Sequence, residues 1–298
     1  MPVPSHHRVP QPPPFDAPPY PADIFAGRTV LVTGGGSGMG LAMAMAFAQG
    51  GASVAVMGRS IERAESGAEK IAALGVRTHA ISCDVRSPEQ IAAAFDETER
   101  VLGPVSLLAN NAGANFPVLA ENISVNAWNA VTRIAIDGTF LCSSEMARRL
   151  IARGQGKAGA GGAIVNNSAQ YIWTGFPGDV HSAAAKTAQA TMTRKLARDW
   201  APHGIRVNAV AAGFFPHADS VSGRRDEGTE ALQAMIPAGR TGHIREFGWL
   251  SALTCTPLLG AMTGQVILQD GGESLRRSLI QPDFLPPRER AEGPWGWR

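Results

Sequence analysis

Residues 29–40, Thr29-Val30-Leu31-Val32-Thr33-Gly34-Gly35-Gly36-Ser37-Gly38-Met39-Gly40, decide how the rest of the chain reads. A short apolar strand, Thr29–Thr33, runs directly into a glycine-rich turn. The turn opens an Ala/Met-rich helix, Met39–Gln49, which Gly50-Gly51 stops. Glycines at such a turn let the backbone approach a pyrophosphate, and the helix N-terminus adds free N–H groups and the positive end of its dipole. A turn with only a structural duty is the plainer alternative. What separates the two is whether the strand–turn–helix opens a series of like units.

It does. Ser53–Met57 reads as a second strand, and Ile61–Leu74 as a helix ending at Gly75. Arg77–Ser82 is a third strand. Pro88 fits the first turn of the next helix, where a missing N–H is harmless. Strands follow at Ser106–Asn110, Ala163–Asn167, Arg206–Val210 and Gln265–Gln269, with helices over Asn126–Ala152 and Gly178–Ala201 between them. Alternating units with wholly apolar strands imply a parallel sheet covered on both faces. Ligands of such sheets bind beyond the carboxyl ends of the strands. The long segment after the sixth strand, about residues 214–240, is therefore a candidate substrate lid. Gly154–Gly162 reads as a loose surface connector.

The 298 residues, 44% of them hydrophobic, suit one α/β domain over residues 23–275. A flexible proline-rich arm, residues 1–22, precedes it, and a C-terminal tail, 276–298, follows. The net charge of +2 argues against a nucleic-acid or membrane partner. No apolar run approaches the ~20 residues a membrane span needs. Cys83, Cys142 and Cys255 match no metal-ligand spacing and read as reduced core thiols of a cytoplasmic protein.

The end of the second strand bears on the choice of nucleotide. An acidic residue there would hold a ribose 2′-hydroxyl and repel a 2′-phosphate. This chain has Met57-Gly58-Arg59-Ser60 instead. Arg59 suits a charge-assisted contact with the 2′-phosphate, so NADP(H) is expected. Ser60 adds a hydroxyl or serves as a helix N-cap. Asp84-Val85, past the third strand, either flanks the adenine or makes a turn.

These features resemble the short-chain dehydrogenase/reductase family. The matching elements are the Thr33–Gly40 loop, with Gly34, Gly36, Ser37, Gly38 and Met39, and Asn110-Asn111-Ala112-Gly113 after the fourth strand. Lys186, Ile205-Arg206-Val207-Asn208 and Thr263-Gly264 with Asp270-Gly271-Gly272 complete the set. The resemblance implies a Rossmann-like, doubly wound sheet of seven parallel strands with helices on both faces, and commonly a homotetramer. The departures are sharper. Where the family keeps a tyrosine, four residues before Lys186, this chain has Ser182. Where a helix asparagine is expected stands Ala135, and the usual Pro-Gly after the sixth strand is Ala212-Gly213. Ser168 fits the family serine.

One subgroup, the 2,4-dienoyl-CoA reductases, is similar at these positions. Asn111-Ala112-Gly113-Ala114-Asn115-Phe116 resembles its Gly-Asn-Phe segment, and Tyr171 falls where mitochondrial-type members carry an upstream tyrosine. Ser182 and Lys186 match the serine and lysine of that type. The resemblance implies hydride addition from NADPH to a conjugated acyl-CoA thioester. Negative charge then gathers on the thioester oxygen, held by the Tyr171 hydroxyl and Asn115 amide, with Lys186 on the nicotinamide ribose and Ser182 beside it. Two other readings stand: a carbonyl or alcohol oxidoreductase using Tyr171 as its acid, and a catalytically silent NADP-binding protein. Phe214-Phe215-Pro216 is a candidate acyl slot, and Arg224, Arg225, Arg240 and Arg245 are candidates for CoA phosphates. His181 reads as a helix-surface residue and Asp137 as a helix charge.

Overall fold

The computed structural model describes residues 11–154, 161–174, 178–217, 233 and 236–275. Seven parallel strands form one sheet in the order β3-β2-β1-β4-β5-β6-β7. They are β1 (Thr29–Thr33), β2 (Ser53–Gly58), β3 (Thr78–Ser82), β4 (Val105–Asn110), β5 (Ala163–Ala169), β6 (Arg206–Ala212) and β7 (Val266–Gln269). β1 pairs with β2 on one side and β4 on the other, so the winding reverses between β1 and β4. A crevice opens past the carboxyl ends of the strands at such a point.

The helices are α1 (Gly38–Gln49), α2 (Ile61–Ala72), α3 (Pro88–Leu102), α4 (Val125–Thr132) and α5 (Thr139–Ala152). They continue with the single turn α6 (Tyr171–Thr174), α7 (Val180–Trp200) and α8 (Ile244–Cys255). Local chemistry starts several of them. The Ser60 hydroxyl accepts from Arg63 N–H to cap α2, and Ser87 accepts from Gln90 N–H to cap α3, with Pro88 at its first position. The span expected as one helix over 126–152 is α4 and α5, joined by a π-helical segment at Arg133–Gly138. π turns favour functional sites.

Two apolar layers cover the sheet. Phe25, Met43, Phe47 and Phe247 fill one face, and Leu31, Phe95, Met146 and Leu108 the other. The first layer depends on α8, an element that the apolar pattern does not announce. Its crossing of α1 is close: a Cβ on Gly248 would lie 2.3 Å from the carbonyl oxygen of Ala42. Gly248 is thus a packing glycine in mid-helix, and it blurs the helical signal of its own segment.

The expectation of a flexible arm is corrected over residues 11–22. Tyr20 is buried and donates its hydroxyl to the Ala46 carbonyl at 2.8 Å. Phe15 stacks on Trp249 with centroids 6.3 Å apart, and Gln49 donates to the Phe15 carbonyl. Proline removes donors but leaves carbonyls, and Arg245 uses those of Pro12 and Pro13. Aromatic burial on α1 and α8 therefore overrides the freedom that composition suggests. Residues 1–10, the connector over 155–160, most of the lid segment (218–232) and the tail 276–298 lie outside the described residues. Among the described residues, no helix is long and apolar enough to cross a membrane.

Candidate functional site

A cavity of about 850 Å³ opens at the β1/β4 crevice, a size suited to a cofactor and substrate together. The residues nominated for the nucleotide and for the catalytic set line it; those nominated for the acyl slot and the CoA phosphates do not. The turn contributes Gly34, Gly36, Ser37, Gly38 and Met39. The β2 end contributes Arg59 and Ser60, and the loop after β3 contributes Asp84 and Val85. Asn111, Ala112, Gly113 and Asn115 follow β4, Gly213 follows β6, and Tyr171, Ser182 and Lys186 stand on α6 and α7.

The turn has no room for side chains. A Cβ on Gly40 would sit 2.1 Å from the Gly34 carbonyl oxygen and 2.4 Å from Asn111 Nδ2. One on Gly36 would sit 2.4 Å from the Arg63 carbonyl oxygen. Gly34 and Gly38 have φ of 65° and 50°, values that favour glycine. The result is bare backbone facing the N-terminus of α1. Ser37 caps that helix without a side-chain hydrogen bond. This donor set fits a pyrophosphate, with exposed Arg59 at the rim.

Behind the turn, Thr33 Oγ1 accepts from the N–H groups of Asn111 and Ala112, each at 2.9 Å. Asn111 Nδ2 donates to the carbonyls of Thr33 and Gly34, each at 3.2 Å. Asn110 points elsewhere, donating at 2.9 Å to Ser143 and to Asn166 within the core. Two of the β2- and β3-end residues have partners inside the chain. Ser60 is the α2 cap and also donates to Glu62 at 2.7 Å. The Asp84 carboxylate accepts from Arg86 Nε at 2.9 and 3.0 Å, and its N–H donates to Gln90 at 2.8 Å. Arg86 accordingly holds the Asp84 carboxyl below its ordinary value. Asp84 thus fills its turn role, and what it shows the cavity is an already paired carboxylate.

At the other end, the Tyr171 hydroxyl and Ser182 Oγ lie 2.7 Å apart. Burial raises the Tyr171 pKa, opposed by the Ser182 hydrogen bond and helped by Asp179. The phenol is therefore neutral at physiological pH and keeps a proton to donate. Lys186 Nζ donates to the Asn167 carbonyl, and burial pulls its pKa down to about 8. Ser168 is buried and Asn115 exposed, both on the cavity wall. Ala135 is buried within the π turn, and its neighbour Ile134 reaches the cavity.

Several expectations change. His181 is fully buried rather than on the helix surface, edge-on to Phe116 at 4.9 Å between ring centroids. Phe215 is a core residue packed on Phe247 at 5.9 Å, not part of an open acyl slot. Arg240 pairs with Glu246 at 2.8 Å, and Arg245 is bonded to the proline-rich segment, so both have duties other than a CoA phosphate. Arg224 and Arg225 lie outside the described residues. Asp137 pairs with Arg133 at 3.8 Å on the surface, as a helix charge does.

Among the cavity residues that escaped the sequence reading, two stand against the turn and Lys186. His217 rests its ring against the turn, 2.9 Å from where a Gly38 Cβ would be. Asn167 lines the wall beneath Lys186. Neither belongs to a local motif, and only the strand and loop geometry brings them in.

Comparison with known proteins agrees with this picture. Residues 34–274 match the family model described as enoyl-(acyl carrier protein) reductase. An uncharacterised oxidoreductase of Caenorhabditis elegans is 36% identical over 253 residues, covering 83% of this chain and 79% of its own. A probable 2,4-dienoyl-CoA reductase, (2E)-enoyl-CoA-producing, of Bacillus subtilis is also 36% identical, over 83% of this chain and 97% of its own. Among solved structures, a gluconate 5-dehydrogenase of Burkholderia cenocepacia in complex with NADP and tartrate superposes with a TM-score of 0.78. It is 30% identical and covers 86% of this chain and 99% of that one.

Proposed function

The chain belongs to the short-chain dehydrogenase/reductase family of nicotinamide-dependent oxidoreductases, and from that premise we propose that it reduces a conjugated 2,4-dienoyl-CoA thioester with NADPH. The observation that carries the reading is the Tyr171–Ser182 hydroxyl pair at 2.7 Å beside Lys186 in the family's cavity. The phenol that this chain lacks at the ordinary family position is supplied from α6, 11 residues upstream of Ser182.

The residues present fit a dinucleotide: backbone at Gly34, Gly36 and Gly38 for the phosphates, Asn111, Ala112 and Gly113 along the wall, and Lys186 for the ribose hydroxyls. Arg59, with no acid beside it on β2, favours the 2′-phosphate of NADP(H). When bound, the nicotinamide supplies or accepts hydride. The chain's residues then manage charge on the thioester. Its oxygen becomes negative as the diene is reduced, and an oxyanion needs donors aimed at it. Tyr171 donates its O–H, with Ser182 fixing the rotor, and the Asn115 amide is the second donor. The Lys186 ammonium lowers the energy of the same anion through space. A donor that only stabilises need not surrender its proton, which suits a phenol whose pKa burial has raised.

Tyr171 as the acid of a carbonyl reductase is the second reading, favoured by the likeness to a gluconate 5-dehydrogenase. The cytoplasmic setting and homotetramer also belong to the proposal. Free, buried Cys83, Cys142 and Cys255 suit a reducing compartment. Exposed Val125, Trp128 and Phe140 on α4 and α5 offer an apolar face for assembly, which sedimentation analysis tests.

The deciding experiment follows NADPH oxidation side by side with a 2,4-dienoyl-CoA, a 2-enoyl-CoA and a β-ketoacyl-CoA, with NADH as the paired control. Turnover of the dienoyl thioester, well above the others, is expected. Rapid reduction of ketones with none of the dienoyl thioester would move the assignment to the second reading.

A further inference from the structure

β5 carries adjacent asparagines, Asn166 and Asn167, ahead of its final Ser168-Ala169, and their side chains serve opposite faces of the sheet. Asn166 is wholly buried, accepting from Asn110 and donating to Thr193 at 2.9 Å each. Asn167 turns into the nucleotide cavity, and its Nδ2 donates to Asn111 Oδ1 at 2.8 Å. Asparagine is a poor strand residue, and here its amide has a specific partner.

That bond matters because a carboxamide has one accepting and one donating end. With Oδ1 of Asn111 engaged by Asn167, its Nδ2 must face the other way. There it donates to the Thr33 and Gly34 carbonyls at 3.2 Å. The same nitrogen fills the space that Cβ atoms on Gly34 and Gly40 would need, 3.0 and 2.4 Å from those positions. The phosphate turn is thus folded around an amide whose orientation Asn167 sets. A flipped Asn111 would put oxygen against two carbonyl oxygens. Asn167 also reaches the other end of the cavity, since its main-chain carbonyl accepts from Lys186 Nζ.

We propose that Asn167 is a positioning residue that joins the two halves of the nucleotide site, holding the phosphate turn through Asn111 and Lys186 through its own carbonyl. It deepens the nucleotide reading of the cavity and does not depend on which compound is reduced. No catalytic contact is assigned to it.

The test measures NADPH dissociation constants by fluorescence on the full-length protein, parent against Asn167→Val, Asn111→Ala and the double variant. Valine suits a strand and keeps the carbonyl for Lys186, but cannot donate to Asn111. Losing a part-buried donor of this kind weakens binding by roughly tenfold. KM for NADPH should rise in step, while KM for the reducible substrate stays within about twofold of the parent. Because the two residues act on the turn as a unit, the double variant should be hardly weaker than Asn111→Ala alone. A merely structural role would lower the melting temperature and leave the folded fraction binding NADPH as before. Should Asn167→Val prove insoluble, Asn167→Ser, too short to reach Asn111, carries the same expectation. Binding within twofold of the parent, or losses that simply multiply in the double variant, would overturn the proposal. A parent that binds neither NADPH nor NADH would instead sink the reading of the cavity itself.

Discussion

Removing one oxygen from Tyr171 tests the catalytic assignment most directly. In Tyr171→Phe the ring keeps its place on α6, and only the 2.7 Å bond to Ser182 is lost. If that hydroxyl donates to the thioester oxyanion, the rate falls by about 10²–10³, the usual cost of deleting one such donor, or roughly 3–4 kcal/mol of barrier. The hydroxyl makes no bond to the phosphate turn or to Arg59, so NADPH affinity should change by less than about twofold. The Ser182 hydroxyl, nearly buried, is left without its partner at a stability cost of about 1–3 kcal/mol. Adding Ser182→Ala removes that orphan and should recover part of the melting temperature without restoring turnover. The assay is single-turnover NADPH oxidation with a saturating 2,4-dienoyl-CoA, run beside an NADPH titration. A Tyr171→Phe enzyme within about threefold of the parent rate would show that the phenol is a packed aromatic with no part in the chemistry.

Other outcomes follow from the same geometry. Lys186 sits below its usual pKa of 10.5, at about 8, because burial disfavours the ammonium. If the charged form serves the reaction, kcat/KM of the free enzyme should fall with a one-proton slope as pH rises through about 8, and the slope should vanish in Lys186→Met. Stability shifts the other way: the penalty for the buried charge is present below about 8 and is relieved between there and 10.5, so this group's contribution rises across that window in melting scans. Arg59→Glu should raise KM for NADPH by about ten- to a hundredfold and spare NADH, read from paired steady-state assays. An unchanged ratio would remove Arg59 from the 2′-phosphate. Gly40→Ala would set a methyl 2.1 Å from the Gly34 carbonyl oxygen, so titration should show at least a tenfold loss of NADPH affinity. Tyr20→Ala should cost about 3–5 kcal/mol in denaturant unfolding if the proline-rich segment is docked as described, and nearly nothing if it is loose.

How much of this was legible in the chain depended on the range over which each feature is encoded. The apolar runs at Thr29–Thr33 and Ser53–Met57, the Pro88 helix start and the glycine turn are local signals, each complete within a dozen residues. They specified a wound α/β sheet and put the nominated residues around one crevice, because βα turns of a parallel sheet share an edge. The places of Arg59 and Lys186 on the cavity wall were legible for the same reason, each standing at a fixed step from its strand or motif. Tertiary contact decided the rest. Composition marks residues 11–22 as a loose arm, yet the hydroxyl of Tyr20 reaches Ala46, 26 positions away, and Phe15 finds Trp249. α8 hides its periodicity behind Gly248, a residue chosen by the approach of α1. Asn167 meets Asn111 across 56 positions, a pairing set by the register of β4 on β5. Such bonds leave no spacing to read. They exist only once the sheet has aligned its strands and burial has made an unpaired polar group costly.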